Sequence, residues 1–173
     1  MSRVEPTYFP PSTFSNDMHV DDFMQQWFGK HLRSMDEPRL CSERDADTLR
    51  LLTLPTFHEP RLVRIERHVD AIQIVAKQTN GRGGYGPGRL TTDKMIESTV
   101  GTFDEAISAL KSMNFWDLPS MDDAAVKDGT KFVIEATVCS VYNVLVRSSL
   151  NKRESELLNW INSHAKSMFI NRG

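Results

Sequence analysis

Cysteine is scarce in this chain of 173 residues: there are two, Cys41 and Cys139. Neither belongs to a C-x-x-C pair, and two are too few for a disulfide scaffold. They read as free thiols, with Cys139 at a strand end. Long apolar runs are missing as well. With no stretch of 18 or more apolar residues, nothing in the sequence reads as a transmembrane helix. Met1 to Thr13 contains Pro6, Pro10 and Pro11 but no apolar segment, so it does not read as a signal peptide. The expected location is therefore cytoplasmic for the chain as written, or periplasmic if a leader has been removed. An excess of one charge is missing too, since 21 Lys and Arg stand against 23 Asp and Glu, a net charge of −2. Holding nucleic acid by its phosphates needs a basic domain or stripe. Here the basic residues are scattered, and the tightest group, Arg61, Arg64 and Arg67, is interleaved with Leu62, Val63 and Ile65 like the polar positions of a strand. No nucleic-acid partner is expected.

What is present is the composition of an ordinary globular domain, 39% hydrophobic and 25% charged. The expected division is a flexible Pro-containing arm over 1–16 and one domain over 17–173. Val20, Phe23, Met24, Trp27, His31 and Met35 recur at spacings of three and four, which predicts a core-facing helix capped by Asp17, the alternative being that the arm and this aromatic-bearing helix dock on a partner. Residues Cys41 to Thr48 read as a loop. Leu49 to Leu54 is a buried strand or a helical turn. Pro55 and Pro60 then bracket Thr56, Phe57, His58 and Glu59 as an extended crossing or turn. Val63, Ile65 and Val69 alternate with Arg64, Glu66 and His68, and a second strand follows Asp70 through Ile72, Ile74 and Ala76, an antiparallel hairpin.

Leu90 to Thr99 reads as a further strand. Thr102 and Glu105 have capping-box spacing, with Phe103, Ile107, Leu110 and Met113 on one helix face and Asn114 as a left-handed end. Phe115, Trp116, Leu118 and Pro119 look like a hydrophobic plug. Thr130 to Val138 and Val141 to Arg147 form a second hairpin around Cys139-Ser140, and Asn151 with Glu154 caps a last helix reaching about Ile170. Strands grouped in hairpins, with helices at the start, middle and end, give an α+β class with an antiparallel sheet rather than a Rossmann-type alternation.

The most unusual stretch in the chain is Asn80-Gly-Arg-Gly-Gly-Tyr-Gly-Pro-Gly88. Closely spaced glycines can cradle an anion with backbone N–H groups, but neither the dinucleotide fingerprint nor the P-loop is matched, and the stretch leads into a strand. It reads as a wide loop in which Gly supplies positive φ, with Tyr85, Arg82 and Arg89 as candidate contacts to a protein or peptide. His58 and Glu59 suggest a base or half a metal site, but position 62 is Leu, so the zincin spacing fails. No metal site and no cofactor are expected. There is no G-x-S-x-G elbow. The acid pairs Asp21-Asp22 and Asp122-Asp123 read as solvated surface. Glu135, in mid-strand, must pair with an Arg such as Arg64 or Arg147 if its face is buried; if that face is open, Glu135, Arg64 and Glu66 would make a binding surface.

The ordered set Thr56-Phe57-His58-Glu59-Pro60, Leu62 to Glu66, Gly83-Gly84-Tyr85-Gly86-Pro87-Gly88, Phe115-Trp116-Asp117-Leu118-Pro119 and Asp128-Gly129 with Glu135 resembles a family of small uncharacterised bacterial proteins, often exported or lipid-anchored. The similarity covers Leu49 to about Arg147. Phe132 and Asn143 stand where that family has Trp and His. The resemblance implies a bacterial origin and this fold, with no activity to carry over. The function expected is a non-enzymatic protein-binding module, of immunity or inhibitor type, contacting its partner through Tyr85, Arg82, Arg89, His58 and Glu59. The alternatives are an accessory domain of a larger assembly attached by the arm, and a small enzyme using His58, Glu59, Tyr85 and Glu135. No catalytic residue is assigned, and a homodimer through an edge strand or the first helix stays open.

Overall fold

The computed structural model describes residues 7–41, 46–122 and 129–170. Its elements are α1 (Met18–Ser34), β1 (Asp47–Pro55), β2 (Arg61–Arg67), β3 (Ile72–Thr79), β4 (Leu90–Ser98), α2 (Val100–Ser112), β5 (Thr130–Val138), β6 (Val141–Arg147) and α3 (Lys152–Ala165), with 3-10 turns at Phe115–Asp117 and Lys166–Phe169. The fold is α+β, and its six strands form one antiparallel sheet in the order β4-β3-β2-β1-β5-β6. Of the expected acid pair at 122 and 123 and the Asp128-Gly129 motif, Asp123 and Asp128 lie outside the described residues, as do residues 42–45 of the expected Cys41 to Thr48 loop, whose Asp47 and Thr48 belong to β1 instead.

Alternation in the strands gives the sheet two buried faces. Leu49, Leu51, Val63, Ile65, Ile74, Ile134, Ala136 and Leu145 point to α2 and α3, where Phe103, Leu110, Phe115, Leu157 and Ile161 cover them. Leu52, Leu54, Leu62, Val133, Val144 and Val146 point the other way, to Phe9, Phe14, Met24, Phe28, Leu32 and Met35. The β5–β6 turn is the expected two-residue one, with φ of 50° at Cys139 and 63° at Ser140, the paired left-handed geometry that follows the strand twist. Asn114 ends α2 in the left-handed region as its sequence predicts. The Asn151–Glu154 capping box is complete, and Glu154 also accepts from Arg147 Nε at 3.0 Å, which ties the start of α3 to β6.

Several expectations are corrected. From Thr7 on, the arm is packed, with Phe9 and Phe14 buried against Phe28. Of the expected α1 stripe Met24, His31 and Met35 are buried, but Val20 and Phe23 are exposed, and Phe28 and Leu32 complete the inward face. Asp21 is no surface acid. It is buried and accepts the backbone N–H groups of Ser12 (2.9 Å) and Phe14 (2.8 Å), fixing the arm on α1. α2 starts three residues earlier than its capping-box spacing predicts, with Thr99 at the cap position and no side-chain cap bond, and Thr102 within its first turn. Val69 falls outside β2 and is exposed.

Glu135 is completely buried, and its partner is neither Arg64 nor Arg147 but Arg50, which sits directly across β1–β5. Arg50 donates to it from Nε (2.8 Å) and Nη2 (2.6 Å), and the Tyr142 hydroxyl adds a third bond at 2.9 Å. Arg64 lies opposite Arg50 in β2, a like-charge pairing that Glu37 neutralises: its buried carboxylate meets Arg50 at 3.3 Å, Arg64 at 2.9 Å and Lys77 at 3.0 Å. Glu66 pairs with Arg64 as well. The face carrying Glu135, Arg64 and Glu66 is thus no open binding surface. It lies under the segment after α1, whose Met35, Pro38 and Leu40 carbonyls accept from Lys77, Arg50 and Thr137.

Candidate functional site

The glycine-rich stretch continues the β3–β4 hairpin beyond its strands. Asn80 N–H donates to the Arg89 carbonyl (3.0 Å), Gly81 to Pro87 (3.0 Å) and Arg82 to Gly86 (2.8 Å), and Tyr85 N–H closes the tip on Arg82 (3.0 Å). The Asn80 side chain accepts from Arg89 N–H at 2.8 Å. This loop lies directly on the β1–β2 turn, where Gly83 N–H donates to the His58 carbonyl and Gly84 N–H to Thr56, both at 3.1 Å.

Close backbone approach explains the glycines better than positive φ does. A Cβ on Gly83 would stand 2.5 Å from the Leu54 carbonyl carbon, and one on Gly84 2.9 Å from Thr56 Cγ2. Within the stretch only Gly88 has a left-handed φ, 71°. α1 adds a third support, because Trp27 Nε1 donates to the Gly83 carbonyl at 2.8 Å. His31, one turn further along α1, is fully buried, and neither ring nitrogen makes a hydrogen bond of good geometry, although the Gly83 backbone lies close enough to favour its protonated form. Burial, helped by the charge of Lys30, pushes its pKa down to about 4.

Together the two loops form an open cleft of about 620 Å³ lined by Thr53, Pro55, Phe57, His58, Glu59, Arg61, Asn80, Gly81 and Arg82. Beside it the rings of Phe57 and Tyr85 lie 6.2 Å apart, and these side chains are 53% and 56% exposed. A smaller hollow of about 270 Å³ is lined by Phe23, Gln26, Trp27, Lys30 and Gly84. In it Phe23, 63% exposed, stands 6.0 Å from Trp27.

Of the residues singled out from sequence, His58, Glu59 and Arg82 are brought to this one cleft, and Tyr85 joins them through Phe57. Arg89 is exposed at the base of the loop, outside the cleft lining. Glu135 belongs to the buried charge cluster under the segment after α1. Glu59 is already held by the Gln78 side chain, which in turn accepts from Arg61 Nε at 2.9 Å. The lining offers a histidine, a held carboxylate, two guanidinium groups, the Thr53 hydroxyl and aromatic surface. Among the aromatic residues at this surface, Phe57 is not singled out by the sequence as a contact, and Phe23 and Trp27 only through the alternative in which α1 docks on a partner. For Phe57 the signal was there: a large apolar side chain within a turn bracketed by two prolines has little chance of reaching the core.

No family model matches the chain, and no curated protein matches it.

Proposed function

We propose that the protein is a non-enzymatic protein-binding module whose contact surface is the tip built by the β1–β2 turn and the glycine-rich β3–β4 loop. The observation that carries this reading is the pair of exposed aromatic rings, Phe57 and Tyr85, on two loops fixed to each other by backbone hydrogen bonds. Exposed aromatic side chains lose little conformational entropy on binding and contribute large contact area, which is why they anchor protein interfaces. A rigid support lowers the ordering cost further. The enzyme alternative loses one of its four candidates to burial, since Glu135 is engaged by Arg50 and Tyr142.

The test is affinity capture from a lysate of the source organism with the wild type beside Tyr85→Ala. One stoichiometric protein retained by the wild type and lost by the variant is expected. The variant's melting temperature should stay within about 2 °C of the wild type, as for an exposed side chain. A partner retained equally by both proteins would remove the tip from the contact surface, and a large drop in melting temperature would mark Tyr85 as a structural anchor.

A further inference from the structure

We infer that the segment this tip receives is an acidic peptide, with one carboxylate held by the Arg82 guanidinium and a neighbouring apolar side chain held against Phe57 and Tyr85; this rests on the protein-binding reading above. Charge is the first argument. The whole chain carries −2, yet among the described residues the cleft lining sets Arg61 and Arg82 against Glu59, with Arg89 exposed at the base of the same loop. A local field of opposite sign to the molecule's own favours approach of an acidic segment in this orientation.

The second argument is which of these charges is already used. Arg61 is engaged by Gln78 and lies 5.1 Å over the Phe169 ring, and Glu59 accepts from the same Gln78. Arg82 differs: among the described residues its guanidinium has neither a hydrogen bond nor an ion pair, while its backbone is fixed at both polar groups, N–H to Gly86 and C=O from Tyr85. A planar fork of N–H donors on a fixed backbone matches a carboxylate in two parallel bonds. The third is rigidity. The glycine-mediated contact of the two loops leaves no room for them to close, so the cleft and the aromatic pair are formed before any ligand arrives. A polyphosphate backbone would need a run of cations along the surface, whereas one free guanidinium beside a held carboxylate suits an isolated acid next to an apolar residue.

The experiment pans the full chain against a phage-displayed library of short random peptides, with washes at low and high ionic strength, and measures the enriched sequences as synthetic peptides. Expected are sequences with Asp or Glu beside an apolar or aromatic residue. Their affinity should fall about tenfold or more in Arg82→Glu, fall less in Arg82→Gln, and be lost in Tyr85→Ala. Exchanging the peptide's acid for Arg should restore binding to Arg82→Glu. Neutral or basic enriched peptides, or acidic ones that bind Arg82→Glu as tightly as the wild type, would overturn the acidic assignment; if they still depended on Tyr85, the protein-binding reading would stand. No enrichment above background would overturn the inference, with the lysate capture deciding the protein-binding reading separately.

Discussion

Glu37 gathers three cations in the interior, since its one buried carboxylate faces Arg50, Arg64 and Lys77. With Glu66 and Glu135 it balances those three cations. Removing one partner from such a set leaves uncompensated charge in a poorly solvated place, typically a loss of about 3–5 kcal/mol. Glu37→Gln should therefore lose stability of that order in urea unfolding, and a loss below about 1 kcal/mol would mean that water already screens the three cations. Sequence carries half of this. That a mid-strand Glu135 needs an arginine follows from the cost of burying a carboxylate. Which arginine depends on the β1–β5 register, a pairing between segments more than eighty residues apart, and Glu37 comes from a connecting segment that no strand pattern marks.

His31 gives a pH prediction at the same scale. An unfolded chain protonates it near 6.5, whereas burial and Lys30 hold the folded-state value at about 4. Between these values the unfolded state binds the extra proton, so this contribution is complete above pH 6.5 and is lost as pH falls toward 4, about 3 kcal/mol in all. Stability measured by urea unfolding across that window should fall more steeply for the wild type than for His31→Leu. Parallel curves would mean that His31 takes up its proton in the folded protein as readily as in the unfolded one.

At the scale of elements, the tip depends on two loops meeting backbone to backbone. Gly83→Ala places a methyl group 2.5 Å from the Leu54 backbone and must push the loop off the β1–β2 turn, with an expected loss of about 1–3 kcal/mol and weaker partner capture. Gly86→Ala is the matched control, because its Cβ would meet nothing within 4 Å, and it should leave both properties unchanged. Equal behaviour of the two variants would disprove the close-approach account. The turn residues made this loop legible as a loop; its docking was not, because glycine signals both conformational freedom and lack of bulk.

α1 shows a related ambiguity. Apolar residues at 20, 23, 24, 27, 28, 32 and 35 support two overlapping stripes, and periodicity cannot choose between them. The arm decides it: Asp21 accepts the Ser12 and Phe14 amides, which places Phe14 against Phe28 and turns Phe23 outward. The hairpins, the Asn114 end of α2 and the α3 capping box were readable because each is set by residues close in sequence.

For the whole molecule, the sheet order β4-β3-β2-β1-β5-β6 is a chain of sequential hairpins except at β1–β5, the one strand pairing that is not local in sequence. Away from the exposed edge strand β4 both faces are buried, so the order of the chain matters: helices that follow β4 and β6 cover one face, and the segment before β1 covers the other, with Met121 added from the stretch before β5. An arm expected to be flexible therefore carries two of the apolar side chains on which the second core depends. Phe9 and Phe14 stand edge-on to each other at 5.0 Å, and both stand edge-on to Phe28. Truncating a buried Phe costs about 3–5 kcal/mol, and total stabilities are about 5–15 kcal/mol, so losing both rings removes a large part of what holds the fold together. A chain beginning at Asp17 should bind a hydrophobic dye, lose near-ultraviolet circular dichroism while keeping its far-ultraviolet signal, and melt over a broad range. A sharp transition at the full chain's temperature would show instead that α1 seals this face alone.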